Sequence, residues 1–160
     1  MGTDLVFGVV DDDCLNNVKL FDCFKDIGYK HVHWLPTTDY AYEMFESGLD
    51  LDLLIVSWEF EKQSKYLTAV NLCSALRLRG FNSPVVFIAR HSSRGDVVDE
   101  ELEILSSVAY KYGAVNVLFK PYERAEVKSK IWSVKTIIEN RRKFLASQSK
   151  LSAPLLKSIG

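Results

Sequence analysis

No stretch of this 160-residue chain approaches the run of roughly 20 apolar residues that a membrane-spanning helix needs. The opening MGTDLVFG has neither the basic segment nor the cleavage pattern of a secretory leader, and Val6 stands where a myristoylated Gly2 would need Ser or Thr. Cysteine is scarce. Cys14, Cys23 and Cys73 are odd in number and never spaced CxxC, which argues against a disulfide framework or a zinc ribbon and for reduced, partly buried thiols. No helix-turn-helix is recognisable, and no Ser/Thr/Gly-rich phosphate loop follows the first apolar run, where three acids would repel phosphate. These absences imply a cytoplasmic protein with no membrane role and point away from nucleic acid.

What is present suits one domain with a short appendage. Hydrophobic residues make up 48% of the chain and charged residues 26%, enough of each for a buried core under a solvated surface. The net charge of −1 conceals an asymmetry. From Lys128 onward eight basic residues face only Glu139, a balance of +7 that leaves −8 on residues 1–127.

Apolar runs and stop signals alternate along the chain. Leu5 to Val10 predicts a buried strand, and Asp11-Asp12-Asp13 ends it with a good helix cap. Val18, Phe21, Phe24 and Ile27 recur at helical spacing until Gly28. His31 to Leu35 predicts a second strand, in which His31 and His33 alternate and fill or edge the sheet. Asp39 to Glu46 predicts a helix, and LDLLIVS, ending at Ser57, a third strand. A helix over 67–78, the strand SPVVFIA, a helix over 99–112 and the strand VNVLFKP follow. A long last helix over 123–146 carries Val127, Ile131, Trp132, Val134, Ile138 and Leu145, and 147–160 reads as a flexible basic tail or linker. Strands alternating with helices specify an α/β fold of the flavodoxin-like kind: a doubly wound, five-stranded parallel sheet in the order 2-1-3-4-5. Residues 1–127 form its core. In that order the acids after the first strand and Ser57 after the third flank one crevice.

Four segments, VVDDD at 9–13, DLLIVS at 52–57, PVVFIA at 84–89 and GAVNVLFKP at 113–121, together resemble a response-regulator receiver (CheY-like) domain. The resemblance implies an acid pair for Mg²⁺ at Asp11 and Asp12, a phosphoacceptor position at Ser57 and a Thr/Ser position at Ala89. It further implies an aromatic switch position at Val117 and a phosphoryl-pairing lysine at Lys120, joined to Pro121 by a cis peptide. Ser57, Ala89 and Val117 depart from the family pattern, and Phe60-Glu61 replaces its Met-Pro stretch.

Those departures bear on chemistry. A serine hydroxyl attacks only with an adjacent general base. The nearby acids are the implied metal ligands, Lys120 would be protonated, and the closest histidine is His91, past the fourth strand. With one of three carboxylates gone, Mg²⁺ binding is at most weak, and no other cofactor is expected. The expectation is therefore an atypical pseudo-receiver without the phosphoacceptor aspartate. It would be no enzyme, but a phosphorylation-independent module that signals through a protein partner or a second copy. Its expected surface is the face of the fourth helix, fifth strand and fifth helix, with the long last helix, where NRRKFLASQSK joins apolar and basic residues. Trp58 is a candidate anchor beside the crevice. Two alternatives stand: the N-terminal regulatory domain of a larger DNA-binding or enzymatic response regulator, and a flavodoxin-like small-molecule-binding protein.

Overall fold

The structure is a computed structural model that describes residues 4–58, 68–90, 111 and 114–159, apart from the side chains of 90 and 150–159. Its elements are β1 (Val6–Val10), α1 (Cys14–Ile27), β2 (His31–Leu35), α2 (Thr38–Glu46), β3 (Leu53–Ser57), α3 (Ala69–Leu78), β4 (Val85–Arg90), β5 (Ala114–Lys120) and α4 (Arg124–Ile159). All strand pairs are parallel and the sheet order is β2-β1-β3-β4-β5, as the alternation of elements predicts. The predicted helix over 99–112, except residue 111, and His91 and Phe60-Glu61 lie outside the described residues.

A strand buried on both faces sends alternate side chains to two different layers. In β3, Leu54 and Val56 join the cluster under α2 and α3 with Leu72, Leu76 and Phe87. Leu53 and Ile55 join the opposite cluster with Phe7, Phe24, Leu118 and the stripe Val127, Ile131, Val134 and Ile138 of α4. Each of these side chains is at most 4% exposed, and burying one contributes about 1.5–3 kcal/mol.

Several sequence expectations need correction. In α1 the core face is Leu20, Cys23 and Phe24, while Val18 is 60% exposed, so the buried stripe keeps Phe24 but is rotated away from Val18. Cys14, one residue past the cap, is exposed. Trp132 is 66% exposed, because one residue past Ile131 turns it off the buried face. The last helix does not end near Ala146 but runs through 147–153 to Ile159. No glycine or proline interrupts 147–153, where adding a residue to an existing helix costs little compared with nucleating one, while Pro154 removes one donor from the ladder further on.

The lower edge of the sheet is tied to α4. Asp52 accepts the Val6 amide at 2.8 Å and also pairs with Arg142, while Arg141 donates to the Asn82 carbonyl. Arg141 and Arg142, in the part of the helix expected from sequence, are thus held by the domain itself.

Gly8 in β1 has a packing role. A Cβ there would lie 2.6 Å from Leu51 Cδ1 and 3.1 Å from Leu35 Cδ1. Leucines from two neighbouring segments therefore fill the space that a side chain would occupy. Gly8→Ala is expected to destabilise the fold by about 1–2 kcal/mol, since both leucines must change rotamer. Urea unfolding at fixed pH measures this.

Candidate functional site

Register brings the site together before any side chain is considered. Val10 pairs with Val56, so Asp11 and Ser57 leave the sheet side by side, and Lys120 ends the outer strand β5. The Lys120–Pro121 peptide is cis. Lys120 is 4% exposed and its ammonium lies 2.6 Å from Asp11 Oδ2 and 3.1 Å from Asp13 Oδ2. Asp11 is fully buried, Asp13 is 5% exposed and Ser57 2%.

Each carboxylate is positioned by backbone geometry as well as charge. Asp11 Oδ1 accepts the Asp13 amide at 3.2 Å. Asp13 caps α1, accepting the Asn16 backbone amide at 3.2 Å and the Asn16 side-chain amide at 2.6 Å. The Asp11 carbonyl, exposed by the strand's end, accepts from Trp34 Nε1 at 2.7 Å and Asn17 Nδ2 at 3.1 Å. Two buried atoms, Asn17 Oδ1 and Tyr122 Oη, make no hydrogen bond to the described residues.

The electrostatics of the two acids differ in sign. Burial pushes the Asp11 carboxyl above its ordinary range, and the Lys120 contact offsets this only in part. Burial also raises Asp13, but the hydrogen bonds from Asn16, and then Lys120, outweigh it and hold that carboxyl low. Tyr122 is pushed up by burial first, then by Asp11 and Asp13.

Of the predicted positions, the structure gathers Asp11, Ser57 and Lys120 at one end of the sheet. Asp12, expected to pair with Asp11, is half-buried, and the acid that shares Lys120 with Asp11 is Asp13. Ala89 and Val117 pack in the cluster under α2 and α3, with Trp58 against it through an edge contact to Phe87 at 5.4 Å. The residues present fit Mg²⁺ poorly. The inward pair of carboxylates already holds an ammonium, and a hydroxyl ends β3, whereas Mg²⁺ asks for several hard anionic oxygens in octahedral array. Among the described residues no three His, Cys, Asp or Glu side chains gather as a metal site.

No family model and no curated protein sequence matches the chain. Solved structures do. A Chloroflexus aurantiacus J-10-fl protein described as a response regulator aligns at 20% identity over 82% of this chain and 98% of its own, with a TM-score of 0.64. The signal receiver domain of a Vibrio parahaemolyticus protein described as a Luxo repressor aligns at 15% identity over 88% and 96%, with a TM-score of 0.67. The response regulator StyR aligns at 21% identity over 92% of this chain and 67% of its own, with a TM-score of 0.68. The chain has the receiver fold.

The buried triad generates a stability test. Lys120→Met leaves Asp11 and Asp13 without their counter-charge and is expected to cost about 3–5 kcal/mol at pH 7. As pH falls the loss should shrink, because Asp11, its carboxyl already raised, protonates first and ceases to be an unpaired buried charge. Asp13 acts in the same direction from the side of the native chain. Its lowered carboxyl contributes stability above the ordinary carboxylate range, and that stability is lost as pH falls through its folded value. Urea unfolding of both proteins at pH 7 and 5 measures the difference. A loss that is equal at both values would mean that Asp11 is not the titrating partner.

Proposed function

We propose that this chain is a phosphorylation-independent receiver: a signal-transduction module, not an enzyme, that works by binding protein. The observation that carries the reading is Ser57, buried at the end of β3 beside Asp11, in the position where a receiver presents its phosphoacceptor carboxylate. Activating a serine needs a base within hydrogen-bond reach. Here the neighbouring carboxylates are engaged by Lys120, a cation, and Ala89 offers a methyl where a hydroxyl would steady a phosphoryl oxygen. Incubation with acetyl phosphate and Mg²⁺ is therefore expected to add no phosphoryl group, as read by intact mass and phosphate-affinity gels. Incorporation that disappears in Ser57→Ala would overturn the reading.

The contact surface we favour is β5 with α4. Val115 is 37% exposed, and Ile137, Phe144 and Leu145 are 42%, 61% and 56% exposed along the helix. Phe119 is half-buried under the Lys130 ammonium, 4.9 Å from the ring centroid. Ile138, beside Ile137, is 4% exposed and belongs to the core. The 36 residues of α4 favour a second, compatible reading, in which this is the regulatory part of a larger regulator and the helix its connection.

Self-association or partner capture is expected to weaken with salt and to be lost when residues after Glu139 are deleted. That deletion also removes the Arg142–Asp52 pair. Phe144→Ser with Leu145→Ser in the full chain, which keeps the pair, should give the same loss. Sedimentation velocity across salt concentrations checks both. Association unchanged in the double variant would exclude this face.

A further inference from the structure

The edge strand β2 is the most exposed strand of the sheet: His31, His33 and Trp34 are exposed, Val32 is half-buried and only Leu35 is buried. Its neighbour on one side is β1, and it ends the sheet on the other. Backbone direction follows from one bond. The Leu35 carbonyl accepts the Asp11 amide at 3.2 Å, so Leu35 turns its polar groups toward β1. By the alternation of a strand, His31 and His33 do the same, while Val32 and Trp34 turn their N–H and C=O groups to the open edge.

Beside that edge lies a cavity of about 450 Å³, lined by Phe21, Lys25, Gly28, Tyr29, Lys30 and Val32. Its walls are apolar and aromatic, and its only charged lining groups are two ammonium groups. Among the described residues neither lysine has an ion-pair partner. The nearby Asp26 is held by Arg124 at 2.6 Å. On the opposite face of the strand stand His31 and His33, both exposed.

We infer that β2 is a docking edge for an extended, acidic segment of another protein, which adds to the sheet as a sixth strand through the amide and carbonyl groups of Val32 and Trp34. Strand addition supplies main-chain hydrogen bonds, and alternate side chains supply specificity. A strand laid on β2 would direct one set of side chains toward the cavity and the other toward the histidine face. The complementary sequence therefore alternates, apolar or aromatic side chains entering between Phe21, Tyr29 and Val32 and acids lying along His31 and His33. Lys25 and Lys30 at the cavity rim favour the same negative charge. A second copy of this chain is a poor occupant, because edge-to-edge pairing would set the two basic β2 margins against each other. The inference uses a surface away from the Asp11–Lys120 site and does not depend on the absence of phosphorylation.

The probe is fluorescein-labelled Glu-Phe-Glu-Val-Glu-amide, titrated by fluorescence polarisation against the full chain. The expected result is saturable binding, with a Kd raised about tenfold or more by Lys25→Glu with Lys30→Glu. Both lysines are exposed, so the variant should keep the native circular dichroism spectrum. On the unaltered chain, the same peptide with Lys for Glu should fail to bind. Hydrogen exchange by NMR should show the Val32 and Trp34 amides slowed by the acidic peptide. Any of three results overturns the inference: no binding, binding indifferent to the charge reversals, or binding that leaves those two amides unprotected. The last would reduce the site to a cavity that takes a side chain without strand addition.

Discussion

The interaction on which this fold turns is the ammonium of Lys120 held between Asp11 and Asp13. Removing three charges from water is costly, and only close mutual contact with further hydrogen bonds offsets it. That contact joins the end of β5 to the end of β1, which are three strand spacings apart, about 14 Å in a flat sheet. Sheet twist and the length of the lysine stem must close the gap. The end of β3 lies under that span, and Ser57, at 2% exposure, is small enough to fit there. One ion cluster thus fixes the start of α1 through the Asp13 cap, the end of β5, and the packing of Trp34 and Asn17 around the Asp11 carbonyl.

Sequence patterning was informative where a residue's environment follows from its neighbours along the chain. The five strands are legible because a strand covered on both faces must be a continuous apolar run, as LLIVS is, and the glycines at 28, 48 and 80 stop helices at positive φ. It was less informative where two registers fit equally well. In DDD the choice between Asp12 and Asp13 as partner of Asp11 depends on where the helix begins. Asp13 caps α1 through Asn16, a pairing visible in sequence as Asp followed three residues later by Asn. The roles of Trp34 and Tyr122 had no local signal, since both depend on contacts across the sheet. The same holds for α1, where a 3.6-residue period allowed a stripe through Val18 and Phe24, of which the tertiary packing kept Phe24 and replaced Val18 with Leu20 and Cys23.

Segment charge overstates what the surface offers. The basic excess from Lys128 onward is not all available to a partner, since Arg141 and Arg142 reach Asn82 and Asp52 at the lower edge of the sheet. Part of the acidic body and part of the basic helix therefore neutralise each other within one molecule. What remains for a partner on α4 is more apolar than the composition suggests: Ile137, Phe144 and Leu145, with Lys143 as the adjacent cation. Long-range steering by this helix should be correspondingly modest, and apolar area should carry most of the contact.

A phosphoryl switch requires two conformations and a ligand that distinguishes them, and a group with no differential affinity shifts nothing. In the proposed reading the ends of β3 and β4 offer no such discrimination. Ser57 is covered, Ala89 has only a methyl, and Val117 is packed into the cluster under α2 and α3. Lys120 cannot act as the mobile element either, because withdrawing it would strand two carboxylates, one of them fully buried. The triad that holds the sheet together thereby also favours a single state at this end of it. In that reading, regulation would act through occupancy of surfaces. Among the described residues, the β2 edge and the flank of α4 both lie on elements whose core-facing residues, Leu35 on one and Val127, Ile131, Val134 and Ile138 on the other, are already fixed by the body. A partner meeting either surface finds it preorganised and orders little of the protein on binding, which lets a modest contact area support a specific complex.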